Sequence, residues 1–247
     1  MVGVEFAKVS YTLADGRCLL RDVSLQLQEG TTTALLGRSG SGKTTLLRMV
    51  NGLVMPTAGQ VFIEGKAVEN GDLTALRRSI GYVIQENGLF PHMTVERNAG
   101  MALELADRPK SEIASRVDEV AKLVGMDFEQ FRARYPWQLS GGQRQRVGLA
   151  RALATDPAVL LMDEPFGALD PMTRAEMQTM VLALFKRVRK TVLLVTHDLD
   201  EALYLAQRVI FLADGQVIAD LPAGEVLQSQ DERVRAYVQA VHRAVPA

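Results

Sequence analysis

The chain has 247 residues, 47% of them hydrophobic, with 28 Lys and Arg against 29 Asp and Glu for a net charge of -1; this is ample for one continuous core and excludes a general attraction for nucleic acid or anionic lipid. The one cysteine, Cys18, excludes an internal disulfide framework and a multi-cysteine metal site, fits a reducing compartment, and reads as a small apolar residue. No apolar run approaches the roughly 18–20 residues that span a bilayer, and the opening MVGVEFAKVS has no leader-like order of regions, so the chain is expected to be soluble and held at any membrane by a partner.

Val4, Phe6 and Val9, then Val23, Leu25 and Leu27, recur as strands do on either side of Ala14-Asp15-Gly16, which predicts an antiparallel opening sheet. Thr31 to Leu36 is β-branched and apolar but too short for a helix. A glycine-rich turn and a helically spaced Lys43 to Val50 follow it, giving strand, loop, helix. Ile80 to Ile84 reads as a buried strand. Residues 94–153 show no strand; Val95 to Leu105, Ser111 to Val124 and Gly142 to Leu153 are periodic segments that predict a helical insertion. Ala158 to Met162 and Thr191 to Thr196 are apolar without alternation, the pattern of parallel strands covered on both faces. Met172 to Arg189 is helical between them. Gly215 to Ile218 suggests a hairpin strand, and Val234 to Val241 an amphipathic end.

The segment Gly37-Arg38-Ser39-Gly40-Ser41-Gly42-Lys43-Thr44 fits the P-loop pattern and lies where that pattern works, between a strand and a helix. Its glycines let the backbone N–H groups turn inward, and the following helix N-terminus adds positive potential, so a polyphosphate is gripped mainly by main chain. Lys43 is expected to reach the β- and γ-phosphates, and the Thr44 hydroxyl to ligate Mg²⁺. Met162-Asp163-Glu164-Pro165 ends a buried strand. Asp163 there can hold the metal while Glu164, pointing elsewhere, faces an attacking water; an acidic turn stopped by Pro165 is the plainer alternative. Leu139-Ser140-Gly141-Gly142-Gln143 supplies a second anion site, with Ser140 as helix cap and the glycines leaving amides bare. Alone, it would be only a helix-start signal.

Taken in order, the cradle, this pentapeptide, Asp163-Glu164, Gly167-Ala168-Leu169-Asp170 and Thr196-His197-Asp198 closely resemble the ABC transporter ATPase family. The resemblance runs from the first strand to about Gly215. It implies an α/β, RecA-like P-loop NTPase fold with a parallel-sheet core, an N-terminal antiparallel β subdomain and an inserted α-helical subdomain. The core with its β subdomain is expected at 1–88 and 155–215, the helical subdomain at 89–154 and a tail at 216–247. It also implies ATP and Mg²⁺ as cofactors and a head-to-tail dimer, or a paired ATPase subunit, in which each ATP lies between one cradle and the partner's Leu-Ser-Gly-Gly-Gln segment.

By the same resemblance Tyr11 stacks on adenine, a core tyrosine being the competing view, and Thr45 joins residues 37–44 around the nucleotide. Gln85 touches Mg²⁺ and the water and relays contact with a membrane subunit. Ser140, Gly141, Gly142 and Gln143 grip the partner's nucleotide. Asp170 bridges the dimer, compatibly with capping the next helix. His197 contacts the γ-phosphate and orients Glu164. His92 and His242 are taken as structural.

The segment Ile80 to Gln85 followed by Gly88-Leu89-Phe90-Pro91-His92-Met93-Thr94-Val95 is similar to subunits that drive uptake of glycine betaine, choline and related osmoprotectants. Phe166 to Asp170 agrees and is shared with other importers, so amino acid, polyamine and molybdate uptake stay open beside it. A soluble, non-transport ABC ATPase is the other class; the compact insertion lacks the long coiled coil of chromosome and repair ATPases. The resemblance implies transmembrane permease subunits, a periplasmic or lipid-anchored substrate-binding protein, and a peripheral location on the cytoplasmic face of the inner membrane. Many osmoprotectant ATPases continue into a regulatory domain, which is not expected after Ala247.

Overall fold

A computed structural model describes residues 2–85 and 88–241. In chain order the elements are β1 (Val2–Thr12), β2 (Cys18–Gln28), β3 (Thr32–Leu36), α1 (Lys43–Val50), β4 (Ala58–Ile63), β5 (Lys66–Ala67), α2 (Leu73–Ser79), β6 (Ile80–Val83), α3 (Val95–Glu104), α4 (Lys110–Leu123), α5 (Phe128–Phe131), α6 (Gly141–Leu153), β7 (Val159–Asp163), α7 (Pro171–Val188), β8 (Thr191–Thr196), α8 (Leu199–Leu205), β9 (Arg208–Ala213), β10 (Gln216–Pro222) and α9 (Glu232–Val241). Two compact units divide the chain, one of residues 1–71 with 193–247 and one of residues 72–192. The second therefore groups the helices of the insertion with β6, β7 and α7.

In the first unit β1 pairs antiparallel with β2 and with β4, as the alternating apolar residues predict. Val4, Phe6 and Val9 are all buried although their spacing changes from two to three. The extra residue is a bulge between Phe6 and Val9, with Lys8 left-handed at φ 51°. Gly59 faces it because a Cβ there would lie 2.2 Å from the Lys8 carbonyl oxygen. Beside this sheet run β10, β9, β3 and β8, with β3 parallel to β9 and β9 antiparallel to β10. Every residue of β3 and β8 is buried; the lack of alternation follows from cover on both faces. A core of Ala34, Leu36, Leu199, Val209, Phe211 and Val234 joins β3 and β9 to α8 and α9.

In the second unit β6 and β7 run parallel, Ile80 opposite Val159 and Val83 opposite Met162. Gly81 lets α6 approach β6, since a Cβ there would meet the Ala152 carbonyl oxygen at 2.5 Å. α3 packs on α4 and α6 through Val95, Ala99, Val117, Val120 and Val147, all fully buried. Among the described residues no helix is long and apolar enough to cross a membrane.

One expectation is corrected. Cys18 is exposed at the start of β2, its thiol donating to the Leu20 carbonyl at 3.2 Å, because the inward side of that strand begins at Leu20. His92 is exposed and meets Phe90 edge-on. His242 lies outside the described residues.

Candidate functional site

The cradle joins β3 to α1 in the first unit. Gly40 and Gly42 are left-handed at φ 80° and 100°, a conformation open to glycine without strain, and Gly37 passes so close to β9 that a Cβ would stand 2.2 Å from the Leu212 carbonyl oxygen. Gly42 is the N-cap of α1 and, having no side chain, leaves the helix start uncovered. Lys43 is 5% exposed and its Nζ donates to the Gly37 and Arg38 carbonyls at 2.8 and 2.9 Å, so the ammonium is held against the loop it follows. Ser41 Oγ is buried without a hydrogen-bond partner among the described residues. An orphaned hydroxyl in a ring of main-chain groups fits a site shaped for a polar ligand. Arg38 and Ser39 are exposed, and Thr44 and Thr45 half-buried on the first turn of α1.

Tyr11 is half-buried on β1 opposite Leu20 of β2. Leu20 in turn occupies the space where a Gly42 Cβ would be, at 2.6 Å. His197 follows β8 and is exposed. With Gly37 to Ser41 it lines a cavity of about 820 Å³. The first unit thus holds Tyr11, the cradle and His197.

The other candidates belong to the second unit. Ser140 caps α6 by accepting from the Gln143 amide at 3.2 Å, while the Gln143 side chain accepts from the Ser140 amide at 2.9 Å. This capping box was the expected role of Ser140. The amides of Gly141 and Gly142 occupy the first turn, where a helix offers no acceptor of its own. Both glycines lie against the start of α7: a Cβ on Gly141 would touch Leu169 at 3.2 Å and one on Gly142 would meet the Thr173 methyl at 2.7 Å. Asp170 caps α7 through the Thr173 amide at 3.1 Å, and its carboxyl is held below the usual range first by the Thr173 hydroxyl and then by that amide. The pentapeptide and Asp170 are therefore neighbours.

Asp163 ends β7 and is 2% exposed. Glu164 is half-buried and left-handed at φ 44°, which turns the chain at once and separates the two carboxylates in direction. Its carbonyl accepts from the Gly167 amide at 3.3 Å. Gln85 is exposed just beyond β6. Phe90 to Thr94 are clamped by a side chain no motif announces: Asn98, fully buried on α3, accepts from the Phe90 amide at 2.8 Å and donates to the Phe90, Met93 and Thr94 carbonyls at 3.0–3.1 Å. A buried asparagine inside a helix looks in sequence like any exposed polar residue.

Residues 20–167 match the family model described as ABC transporter. The chain belongs to the ABC transporter family. The choline transport ATP-binding protein OpuBA of Bacillus subtilis is 43% identical to it over 93% of this chain and 60% of its own length. The glycine betaine uptake system ATP-binding protein YehX of Escherichia coli is 45% identical over 87% of this chain and 69% of its own. The sulfate/thiosulfate import ATP-binding protein CysA of Nocardia farcinica is 48% identical over 85% and 65%. Among solved structures, the dimeric post-hydrolysis state of the ATP-binding cassette MJ0796 bound to ADP and Pi superposes with a TM-score of 0.79 at 36% identity, over 89% of this chain and 98% of that one. The fold is accordingly the P-loop α/β fold of the ABC cassette. The chain spans a little more than half the length of the osmoprotectant relatives that match it along nearly all of its residues.

Proposed function

We propose that this chain is the ATP-hydrolysing subunit of an ABC importer for osmoprotectants such as glycine betaine or choline. The observation that carries the reading is the presence in one chain of two glycine-lined helix starts with main-chain amides at their first turn, α1 behind the cradle and the capped α6 behind Leu139. Two such sets are needed when each nucleotide is gripped by one subunit's cradle and the partner's α6, so the working form is a head-to-tail pair. The ADP-bound dimer of the MJ0796 cassette supports that arrangement. The substrate class rests on the names of OpuBA and YehX, with CysA showing that another importer class shares this cassette.

In this reading Tyr11 stacks on adenine, residues 37–45 enclose the phosphates, and Ser140 to Gln143 close over them from the partner. Lys43 and His197 neutralise charge on the transferred phosphoryl group, and Glu164 accepts a proton from the attacking water. By the resemblance Thr44, Gln85 and Asp163 would each offer an oxygen, and a carboxylate as buried as Asp163 favours a nearby cation, which suits Mg²⁺. The ion would supply charge neutralisation; these three residues would hold it. Asp170, which lies beside the pentapeptide, bridges the two subunits in this reading.

The surface for a membrane subunit is a depression of about 370 Å³ in the second unit lined by Arg77, Arg78, Ile80, Tyr82, Leu105 and Arg151. Its exposed Leu105 and its arginines suit a helix with an apolar face and acidic flanks. Docked there, on the cytoplasmic face of the membrane, ATP-driven closure would act on permease subunits served by a substrate-binding protein. The deciding experiment is Glu164→Gln. It should retain ATP and accumulate as a dimer in light scattering, with phosphate release lowered about 100- to 10,000-fold; hydrolysis at the parent rate would remove Glu164 from the role. Reconstitution with a neighbouring permease and labelled glycine betaine or sulfate then decides the substrate.

A further inference from the structure

α9 reaches the phosphate cradle although no motif marks it. Val234 anchors the helix in the cluster that contains Leu36, which leads into Gly37, and Leu199, two residues after His197. Arg233 ties its first turn to β10 by donating to the Ile218 carbonyl at 2.9 Å. From this base the Tyr237 hydroxyl donates to the main-chain carbonyl of His197 at 3.1 Å. The Tyr237 ring meets Phe211 edge-on, with centroids 5.6 Å apart. Tyr237, His197 and residues Gly37 to Ser41 line the same cavity.

We propose that Tyr237 is a positioning residue for His197, setting the direction in which the imidazole leaves the chain. The inference rests on the proposed ATPase function, in which His197 meets the γ-phosphate. The His197 carbonyl and the Asp198 amide are the two poles of one planar peptide. Tyr237 holds the first pole. Thr196 Oγ1 accepts from the second at 3.0 Å, and the Asp198 carboxylate caps α8 through the Glu201 amide at 3.0 Å. With the plane pinned at both ends, rotation about the His197 Cα–C bond is closed and its side chain starts from one fixed frame. Burial raises the Tyr237 phenol above its ordinary value, the Asp198 carboxylate adds to this and Arg38 opposes it, so the hydroxyl remains a donor throughout the neutral range. Remove it, and that end of the peptide loses this hydrogen bond while the ring still packs on Phe211.

The test is Tyr237→Phe in the full chain, alone and with His197→Ala. Losing one such hydrogen bond should lower kcat about threefold to tenfold with KM for ATP unchanged and a loss in melting temperature of no more than about 2–4 °C. In the His197→Ala background the same change should have no further effect. In histidine-labelled NMR spectra the His197 ring signals, assigned by their loss in His197→Ala, should move while those of His92 stay. A role confined to packing α9 would lower the melting temperature beyond that range and multiply with His197→Ala. Unmoved His197 signals, or multiplying effects, would overturn the inference. A parent chain that releases no phosphate would instead overturn the proposed function, and the NMR comparison would still decide whether Tyr237 sets the histidine.

Discussion

Glu164 sits at φ 44°, in a region that costs a residue carrying a Cβ roughly 1–2 kcal/mol. Glycine escapes that cost but surrenders about 0.5–1 kcal/mol more chain entropy than alanine on folding. The difference predicts that Glu164→Gly is more stable than Glu164→Ala by about 0.5–1 kcal/mol, the reverse of their order in a helix or strand. In a chain of this size that corresponds to about 1–4 °C in melting temperature, readable by calorimetry. The turn after Glu164 survives in both variants, because the Gly167 amide bonds a main-chain carbonyl. Both lose the carboxylate, so phosphate release should fall to the same low level in each. An alanine variant as stable as the glycine variant would refute the backbone argument, whereas residual hydrolysis near the parent rate would refute the catalytic one. The pair thus separates what Glu164 costs the fold from what it contributes to the chemistry.

Gly142→Ala should destabilise by about 1–3 kcal/mol, since its methyl would meet the Thr173 methyl at 2.7 Å; adding Thr173→Ser removes that methyl and should recover most of the loss in melting temperature. Asp156 is held below its ordinary value of 3.8 first by a hydrogen bond from Lys190, which outweighs the opposing effect of burial, with the charges of Lys190 and Arg116 adding to the lowering. Because the folded carboxyl keeps its charge to lower pH than the unfolded one, its contribution is complete well above the ordinary carboxylate value and fades as pH falls through and below it; the stability gap between the parent and Asp156→Asn should close in that acid range in denaturant titrations. Lys43→Ala should weaken ATP binding about 10- to 100-fold by calorimetric titration. Ser140→Ala should leave the binding of one ATP per chain intact, lower stability by about 1 kcal/mol, and abolish ATP-driven dimers in light scattering.

The elements most legible in the sequence were those whose physics is local. β3, β7 and β8 are short apolar runs covered on both faces, and their predicted bounds differ from the observed ones by one residue at most. α1, α3, α4, α6 and α7 carried their own spacing, and α3, α6 and α7 have side-chain caps in Thr94, Ser140 and Asp170 as well. Less was legible where the cause lies elsewhere in the chain. The bulge at Lys8 breaks the alternation of β1 for the sake of its pairing with β2 and β4, and β4 begins with Ala58-Gly59-Gln60, exposed and without a strand pattern. The motif residues of the site were visible because their chemistry demands fixed neighbours. Asn98 and Tyr237 were not, because each acts by bonding main-chain carbonyls that any residue could supply. Nor does a glutamate's side chain announce a left-handed backbone.

The two helix starts that support the functional reading are built by different physics, and the difference implies an order of events. α1 begins on Gly42, which has no side chain with which to compete for the helix's first amides, and Lys43 and the cradle add charge and further donors around it. α6 begins on Ser140, whose capping box consumes two donors and leaves the smaller set at Gly141 and Gly142. The richer set can hold a triphosphate by itself. The poorer one is suited to complete a site already filled, and contact of Gly141 and Gly142 with Leu169 and Thr173 fixes it beside Asp170. Nucleotide should therefore bind to the cradle before the partner's α6 closes over it, which is why a defect at Lys43 should weaken both steps and a defect at Ser140 should abolish only the second.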